Sequence, residues 1–502
     1  MMKDLYIFNE HYVGTGSNSM VNYRLVGRIL GILLLIEAGL FLICAGVSLI
    51  YNEPDYLSFI YSILILVGVG SFLFLAGGRA KNQLARRDGY CVVSLSWILF
   101  SVFGMLPFYL SGYIPSVTDA FFETMSGLTT TGATILNDIE ALPHGLLFWR
   151  SLTQWIGGLG IIFFTIAILP IFGNDSQQLF LSEATGVTHK KTHPQVRVMA
   201  RWIWTVYISL TFIETLLLLF GGMNLFDAVC HALTSTATGG FSTKQDSIAY
   251  WNSPFIEYVV AIFMLLSGIN FSLFFMSMKG HTEQLWKDDE VHWYLKSIGI
   301  ITLVVAVALI FQQGYGVEES FRKSFFQVVS IHTSTGFATD DYCTWPSYTW
   351  MFFMVAMLSG GCTGSTGGGI KSARLLIMLR NIKNQFKQII HPRAVLPVRI
   401  NRQVIDSQLS ATVMVFFVTY MLCILIGWIL LMFMGLDIPE AMSTSISAMG
   451  NVGPGLGAYG PAYSWEAIPI PGKWLLSIMM LIGRLELFGV LLLFYRGLWR
   501  NK

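Results

Sequence analysis

The stretch Thr129-Thr130-Thr131-Gly132-Ala133-Thr134 sets hydroxyls, carbonyls and a glycine side by side between two long apolar runs. Three further segments echo it: Thr236-Ala237-Thr238-Gly239-Gly240-Phe241, Thr333-Ser334-Thr335-Gly336-Phe337-Ala338, and the looser Gly450-Asn451-Val452-Gly453-Pro454-Gly455. A glycine at positive φ lets successive carbonyls face the same way, and a ring of such oxygens replaces the water shell of a monovalent cation. Hydroxyls and carbonyls are hard, neutral oxygens, suited to an alkali cation rather than to an anion or a soft metal. One turn alone reads as an ordinary loop, whereas four in register make a shared path the stronger reading. The candidate ligands are Thr130, Thr131 and Gly132; Ala237, Thr238 and Gly239; Ser334, Thr335 and Gly336; and Asn451, Val452 and Gly453. Because the fourth turn lacks the threonines, any ring they form is not fourfold symmetric.

The elements that must position these turns are membrane spans. Of 502 residues, 54% are hydrophobic and 12% charged, where a soluble domain carries roughly 25% charged residues. About ten apolar runs reach the roughly 20 residues a bilayer requires. They cover approximately 25 to 50, 57 to 78, 91 to 112, 145 to 172, 202 to 222, 254 to 278, 294 to 314, 347 to 379, 408 to 435 and 472 to 497. The fold expected is an all-α polytopic membrane protein in contact with the lipid bilayer. Residues 1 to 20 lack the apolar core of a signal peptide. A net charge of +2 provides no basic field, so no nucleic-acid partner is expected. The cysteines lie singly, without disulfide or CxxC metal spacing, and no catalytic constellation is present, so the chain does not read as an enzyme.

Aligning the turns on Gly132, Gly239, Gly336 and Gly453 gives separations of 107, 97 and 117 residues by subtraction. That is an internal repeat of span, half-helix, turn and span, occurring four times after a two-span preamble. The units expected are a preamble at 1–88 and repeats at 89–190, 191–285, 286–400 and 401–502. Helix-start residues mark three half-helices at Asp119, Asp227 and Pro439-Glu440, and the third is expected to begin near Ser320 or Ser324. Lysine and arginine collect in the connections 79 to 90, 173 to 201, 279 to 293 and 380 to 407, while the turn-bearing connections hold mostly acids. Positive charge marks the cytoplasmic side, so the turns face outward and both termini inward.

Gly360-Gly361-Cys362-Thr363-Gly364-Ser365-Thr366-Gly367-Gly368-Gly369-Ile370-Lys371 interrupts the run from 347 to 379. Each glycine costs a helix about 1 kcal/mol relative to alanine, so a loop inside the membrane is expected. The run comes within one residue of a phosphate-binding G-x-x-x-x-G-K-[ST] loop, but Ile370 breaks the spacing and no strand precedes it. Arg484 stands within the last apolar run, where a charge must be paired or face water. That marks it for a pore-facing position or for a pair with Glu486 or another carboxylate. Glu37, Glu214 and Glu486 are the carboxylates available to a coupled Na⁺ or H⁺ symporter. His231 and His332, in the half-helices, read as buried hydrogen-bonded histidines.

The four repeats, with Thr-Thr-Gly-Ala first and Gly-Asn-Val-Gly-Pro-Gly last, resemble the Trk/Ktr/HKT potassium transporters, in their TrkH-type branch. So do the run Trp149-Arg150-Ser151-Leu152-Thr153-Gln154-Trp155-Ile156-Gly157-Gly158, the two-span preamble and His391-Pro392-Arg393-Ala394-Val395. The resemblance implies four span, pore-helix, span units around one central pore in a bacterial inner membrane. It implies a channel-like uptake of K⁺, the transported ion, with no organic cofactor on this chain. Glycine in the first turn implies potassium selectivity, since a serine there goes with sodium-permeable members. It further implies a homodimer docked to a cytosolic nucleotide-binding, TrkA-like regulatory subunit. The loop bearing Gly360, Gly361, Gly364, Gly367, Gly368, Gly369 and Lys371 is then a gate beneath the filter, with Arg484 facing it as an electrostatic barrier.

Overall fold

Long apolar runs satisfy their backbone within themselves, as a hydrocarbon environment requires, and become long helices. The computed structural model describes residues 21–78, 86–160, 195–280 and 282–499. Among these, Tyr23–Ile50, Tyr56–Ala76, Arg87–Leu110, Ala200–Phe220, Asp289–Gln313 and Ser407–Phe433 are each long and apolar enough to cross a membrane. The first two form the preamble and pack closely through small residues: a Cβ on Gly31 would meet the Gly70 carbonyl oxygen at 2.6 Å. Among the described residues, one antiparallel hairpin pairs Arg399–Ile400 with Gln403–Val404. The remainder of the run expected at 145 to 172 lies beyond Gly160, outside the described residues, as do residues 1 to 20 with the orientation of the N-terminus.

Two runs expected to be continuous are broken. Pro254–Ser267 and Phe271–Met278 meet at 93°, and Ile470–Arg484 and Phe488–Phe494 at 119°. The first break follows Gly268 and is capped by Asn270, whose side chain accepts from the Ser272 amide at 2.9 Å. At the second, Glu486 and Leu487 take φ of +52° and +63°, which no straight helix accommodates. The glycine-rich interruption occurs as expected, between helices Ser347–Ser359 and Ser372–Ile390. With His144–Leu159 ending at Gly160, the span returning from every turn stops after 13 to 16 residues. Of these interruptions, the one at Gly360 to Gly369 is legible in the sequence because its run of glycines is long.

The half-helices are Val117–Leu128, Leu225–Thr236, Val317–His332 and Ile438–Gly450. The first two are capped by Ser116 and Asn224, which accept from the Asp119 and Asp227 amides at 3.3 and 2.8 Å. Asp119 and Asp227 are therefore first-turn acids and not caps, favourable there against the positive end of the helix dipole. The third begins at Val317, ahead of the expected Ser320 or Ser324, because Glu318 and Glu319 supply its acidic first turn. All four are buried through their C-terminal turns, which point at the polar segments.

Candidate functional site

The four turns share one backbone conformation. Shortly after its half-helix ends, each has a non-glycine residue at positive φ: Thr130 (+53°), Thr238 (+53°), Ser334 (+59°) and Asn451 (+53°). Two residues on comes a glycine at positive φ: Gly132 (+82°), Gly240 (+78°), Gly336 (+87°) and Gly453 (+102°). Between them, the amides of Thr131, Gly239, Thr335 and Val452 donate back to Ser126, Thr234, Ser330 and Ser447 at 2.8 to 2.9 Å. The second turn is thus shifted by one residue from its sequence alignment. Gly240, and not Gly239, corresponds to Gly132, and Thr238 corresponds to Thr130. The doubled glycine made both registers possible, and Thr-Gly matching selected the wrong one.

These turns close into a ring. A Cβ on Gly132 would strike the Gly239 carbonyl oxygen, one on Gly240 that of Thr335, one on Gly336 that of Val452, and one on Gly453 that of Thr131. Immediately after the turns, hydrogen bonds run the same way around. Arg150 donates to Ser242 O at 3.0 Å, Ala249 N to Ala338 O at 3.2 Å, Tyr342 OH to Gly455 O at 2.6 Å, and Trp465 N to Thr134 O at 2.7 Å. Gly132, Gly240, Gly336 and Gly453 all line one cavity of about 70 Å³, walled further by Thr134, Ser242, Lys244 and Trp465.

Side chains brace the ring from behind. Glu123, in the first half-helix, accepts from Thr134 Oγ1 at 3.0 Å, the Ile135 amide at 3.0 Å and Arg150 Nε at 2.9 Å. Arg150 is 2% exposed and lies 4.1 Å from the Phe241 ring, so it ties the first turn to the second from within the fold. Thr129 pairs its hydroxyl with Thr131 at 2.8 Å, and Thr333 with Thr335 at 2.7 Å. Asn451 Nδ2 reaches Thr131 Oγ1 at 3.1 Å and Met480 O at 2.8 Å. Gln154 Nε2 donates to Gly239 O at 2.6 Å, and its Oε1 accepts from the Phe241 amide at 2.9 Å. His231 bonds Asp227 O and Ser242 Oγ at 2.7 and 2.9 Å, and His332 bonds Ser297 Oγ at 2.9 Å.

The glycine-rich loop packs against the C-terminal ends of three half-helices, where helix carbonyls lack intrahelical partners. Thr366 Oγ1 faces Thr236 O and Ser267 O at 3.2 Å each, and the Gly368 amide donates to Ser334 Oγ at 2.5 Å. A Cβ on Gly367 would meet Thr333 O at 2.9 Å, and one on Gly368 would strike Gly450 O. Gly361 lies over Gly268, whose carbonyl accepts from the Cys362 amide at 2.8 Å, and Gly364 O accepts from Phe271 N at 3.2 Å. Gly360 and Gly369, both at positive φ, close the loop's neck against each other. Lys371, at φ +69°, turns its ammonium back onto Gly367 O. A helix, Ser347–Ser359, and not a strand precedes this segment, so its context is not that of a phosphate-binding loop.

Arg484 sits where the loop meets the first repeat. Its guanidinium donates to Thr366 O at 2.9 Å, to Gly158 O at 2.9 Å and to Gly157 O. The last two lie in the final turn of His144–Leu159, the negative end of that helix. Glu486 forms an ion pair with Arg374, at the far side of the loop. Sequence reasoning gave no role to Glu290, whose Oε1 accepts from Thr363 N at 2.5 Å, Thr363 Oγ1 at 3.0 Å and Ala373 N at 3.0 Å. One carboxylate oxygen thereby holds both ends of the loop. Its position next to a span start was visible, but its partners are 73 and 83 residues away. Thr366 and Gln154 were missed for the same reason.

The cation transport protein family TrkH matches residues 57–498. The chain is 35% identical over 485 residues to the Trk system potassium uptake protein TrkH of Escherichia coli K12, covering 96% of this chain and all of that one. It is 34% identical over 476 residues to the Trk system potassium uptake protein TrkI of Halomonas elongata, covering 94% of this chain and 96% of that one. The crystal structure of the potassium transporter TrkH from Vibrio parahaemolyticus superposes with a TM-score of 0.87 at 33% identity, covering 95% of this chain and 100% of that one. The chain is therefore a multi-pass, all-helical membrane protein that belongs to the TrkH family of cation transport proteins.

Proposed function

We propose that this chain takes up K⁺ through a pore whose filter is the ring of four turns and whose gate is the loop from Gly360 to Lys371. One observation carries the reading: four turns with the same pattern of left-handed residues touch one another in sequence and together line one cavity. In this reading the carbonyls flanking each positive-φ glycine replace water around the ion, and Thr130, Thr131, Gly132 and their counterparts form the binding sites. The relatives named as potassium uptake proteins supply the ion. The units are the preamble at 1–88 and the repeats at 89–190, 191–285, 286–400 and 401–502, with the turns outward and both termini cytoplasmic in the inner membrane. Inward flow follows the membrane potential, which is worth about 2.3 kcal/mol per charge per 100 mV. Beneath the ring, the loop blocks the path and the Arg484 cation opposes a passing one. A homodimer and a cytosolic nucleotide-binding regulator that shifts the loop complete the assembly.

Replacing Gly132 with serine and comparing Rb⁺ with Na⁺ influx tests the filter. Serine lacks glycine's tolerance of φ +82° and would collide with Gly239 O, so discrimination should fall. Unchanged discrimination would reject the ring as the selective element. The ion-coupled alternative draws on Glu37 and Glu214, both fully buried. It requires Rb⁺ influx at fixed potential to depend on an imposed Na⁺ or pH gradient, and the pore reading requires that it does not.

A further inference from the structure

We propose that Gln154 is a positioning residue for ion discrimination, standing in for the side chain that the second turn lacks; this rests on the reading of the turns as the filter. The corresponding residues between the two positive-φ positions are Thr131, Gly239, Thr335 and Val452. Three carry a side chain behind the backbone. In the first and third turns that side chain is a threonine, locked to another hydroxyl two residues earlier. In the second turn these positions are Ala237 and Gly239, and no such pair can form.

The gap is filled from another repeat. Gln154, 0% exposed on the span returning from the first turn, places its amide where a residue-239 side chain would lie. A Cβ built on Gly239 would meet Gln154 atoms, Oε1 at 2.5 Å and Cγ at 2.9 Å among them. Gly239 is not in the left-handed region, so its backbone does not demand glycine. What excludes a side chain at 239 is Gln154. The amide then does two jobs, donating to Gly239 O through Nε2 and accepting from Phe241 N through Oε1, across the positive-φ residue Gly240. Reversing the amide would set donor against donor and acceptor against acceptor, so the two bonds fix its orientation.

Among the described residues this clamp has no counterpart in the other repeats. The return spans end at Gly160, Gly268, Gly360 and Leu485, and the residues aligned with Gln154 are Ile262, Met354 and Met479, none with an N–H or O–H side chain. Selectivity depends on the number and field strength of the carbonyl dipoles around the ion. A carbonyl that shares one lone pair with an amide donor presents a fixed, weakened oxygen to the path, and this sets the second turn apart from the other three.

The test is a mutant cycle in cells lacking their own potassium uptake, reading the ratio of Rb⁺ to Na⁺ influx, which cancels expression level. Gln154→Ala leaves Gly239 O and Phe241 N without their partner and should lower the ratio about tenfold. Gln154→Glu keeps an acceptor for Phe241 N but no donor for Gly239 O, and should fall between wild type and Gln154→Ala. Gly239→Thr alone collides with Gln154 and should lower the ratio at least as far. The double variant Gln154→Ala/Gly239→Thr removes that collision and puts a side chain back into the space behind the second turn, with no hydroxyl at Ala237 to lock it, and should recover part of the ratio lost in either single variant. A double variant no better than the worse single overturns the proposal, including where a single variant fails to reach the membrane. If Gly132→Ser lowers the ratio and Gln154→Ala does not, Gln154 has no such role and the filter reading survives. If neither lowers it, both fall.

Discussion

The ring of turns and the glycine-rich loop lie against each other, yet they are built on opposite principles. The ring is repetitive and is held mainly by its own backbone: a helix end, a left-handed residue and a left-handed glycine, four times over, each turn touching the next. The loop occurs once and, besides two backbone bonds to Gly268 and Phe271, is fastened by side chains: Glu290, its own Thr366 against Thr236 O and Ser267 O, Ser334 under Gly368, and Arg484 bridging Thr366 to Gly157 and Gly158. A structure fixed by backbone closure resists displacement, as a selective oxygen cage must. One fixed by a few reversible side-chain bonds can be released, as a gate must. Under the proposed function, the contrast would give discrimination to the first and rate to the second.

That assignment can be broken at four places, in order of expected effect. Gly336→Ala forces a side chain into φ +87° and into Val452 O, a strain of about 1 to 3 kcal/mol before the collision, so Rb⁺ over Na⁺ discrimination should fall by more than tenfold. Arg484→Ala removes a cation and its bridge, and should raise Rb⁺ influx about fivefold with discrimination unchanged. Glu290→Ala frees both ends of the loop and should raise influx about threefold in vesicles without a regulator, again at constant discrimination. The smallest effect belongs to the outer cavity. Lys244 lies 2.9 Å from Glu140, and that hydrogen bond raises its pKa above the ordinary lysine value, so it stays charged through neutral pH. Because the pKa is raised, the pairing is lost only as pH climbs through the alkaline lysine range. Glu140→Gln leaves that cation unneutralised beside the path, and should raise the Rb⁺ concentration for half-maximal influx about twofold at low salt.

Much of the ring was legible because repetition is itself a signal: four glycine-bearing turns among apolar runs announce one another. What misled was local. Gly239-Gly240 offers two registers, and the positive φ of Thr238 and Gly240 with the hydrogen bond from Gly239 N to Thr234 O distinguish them. The breaks after Gly268 and at Glu486 were hidden because each sits in a run apolar enough for a continuous span. The loop's existence was legible from its glycines, but not its fastenings. Glu290 and Thr363 are far apart in sequence, and nothing in either residue's neighbourhood names the other. Arg150 is buried behind the ring and paired with Glu123, 27 residues earlier, a pairing that no local pattern announces.

The most direct test places both regions in one assay: purified full-length chain in proteoliposomes under an imposed potential, comparing wild type, Gly132→Ser and a variant shortened between Gly360 and Gly369. The account predicts that Gly132→Ser loses discrimination between Rb⁺ and Na⁺, while the shortened loop raises Rb⁺ influx at wild-type discrimination. Loss of discrimination on shortening the loop, or its retention in Gly132→Ser, would contradict the division between a selective ring and a controlling loop.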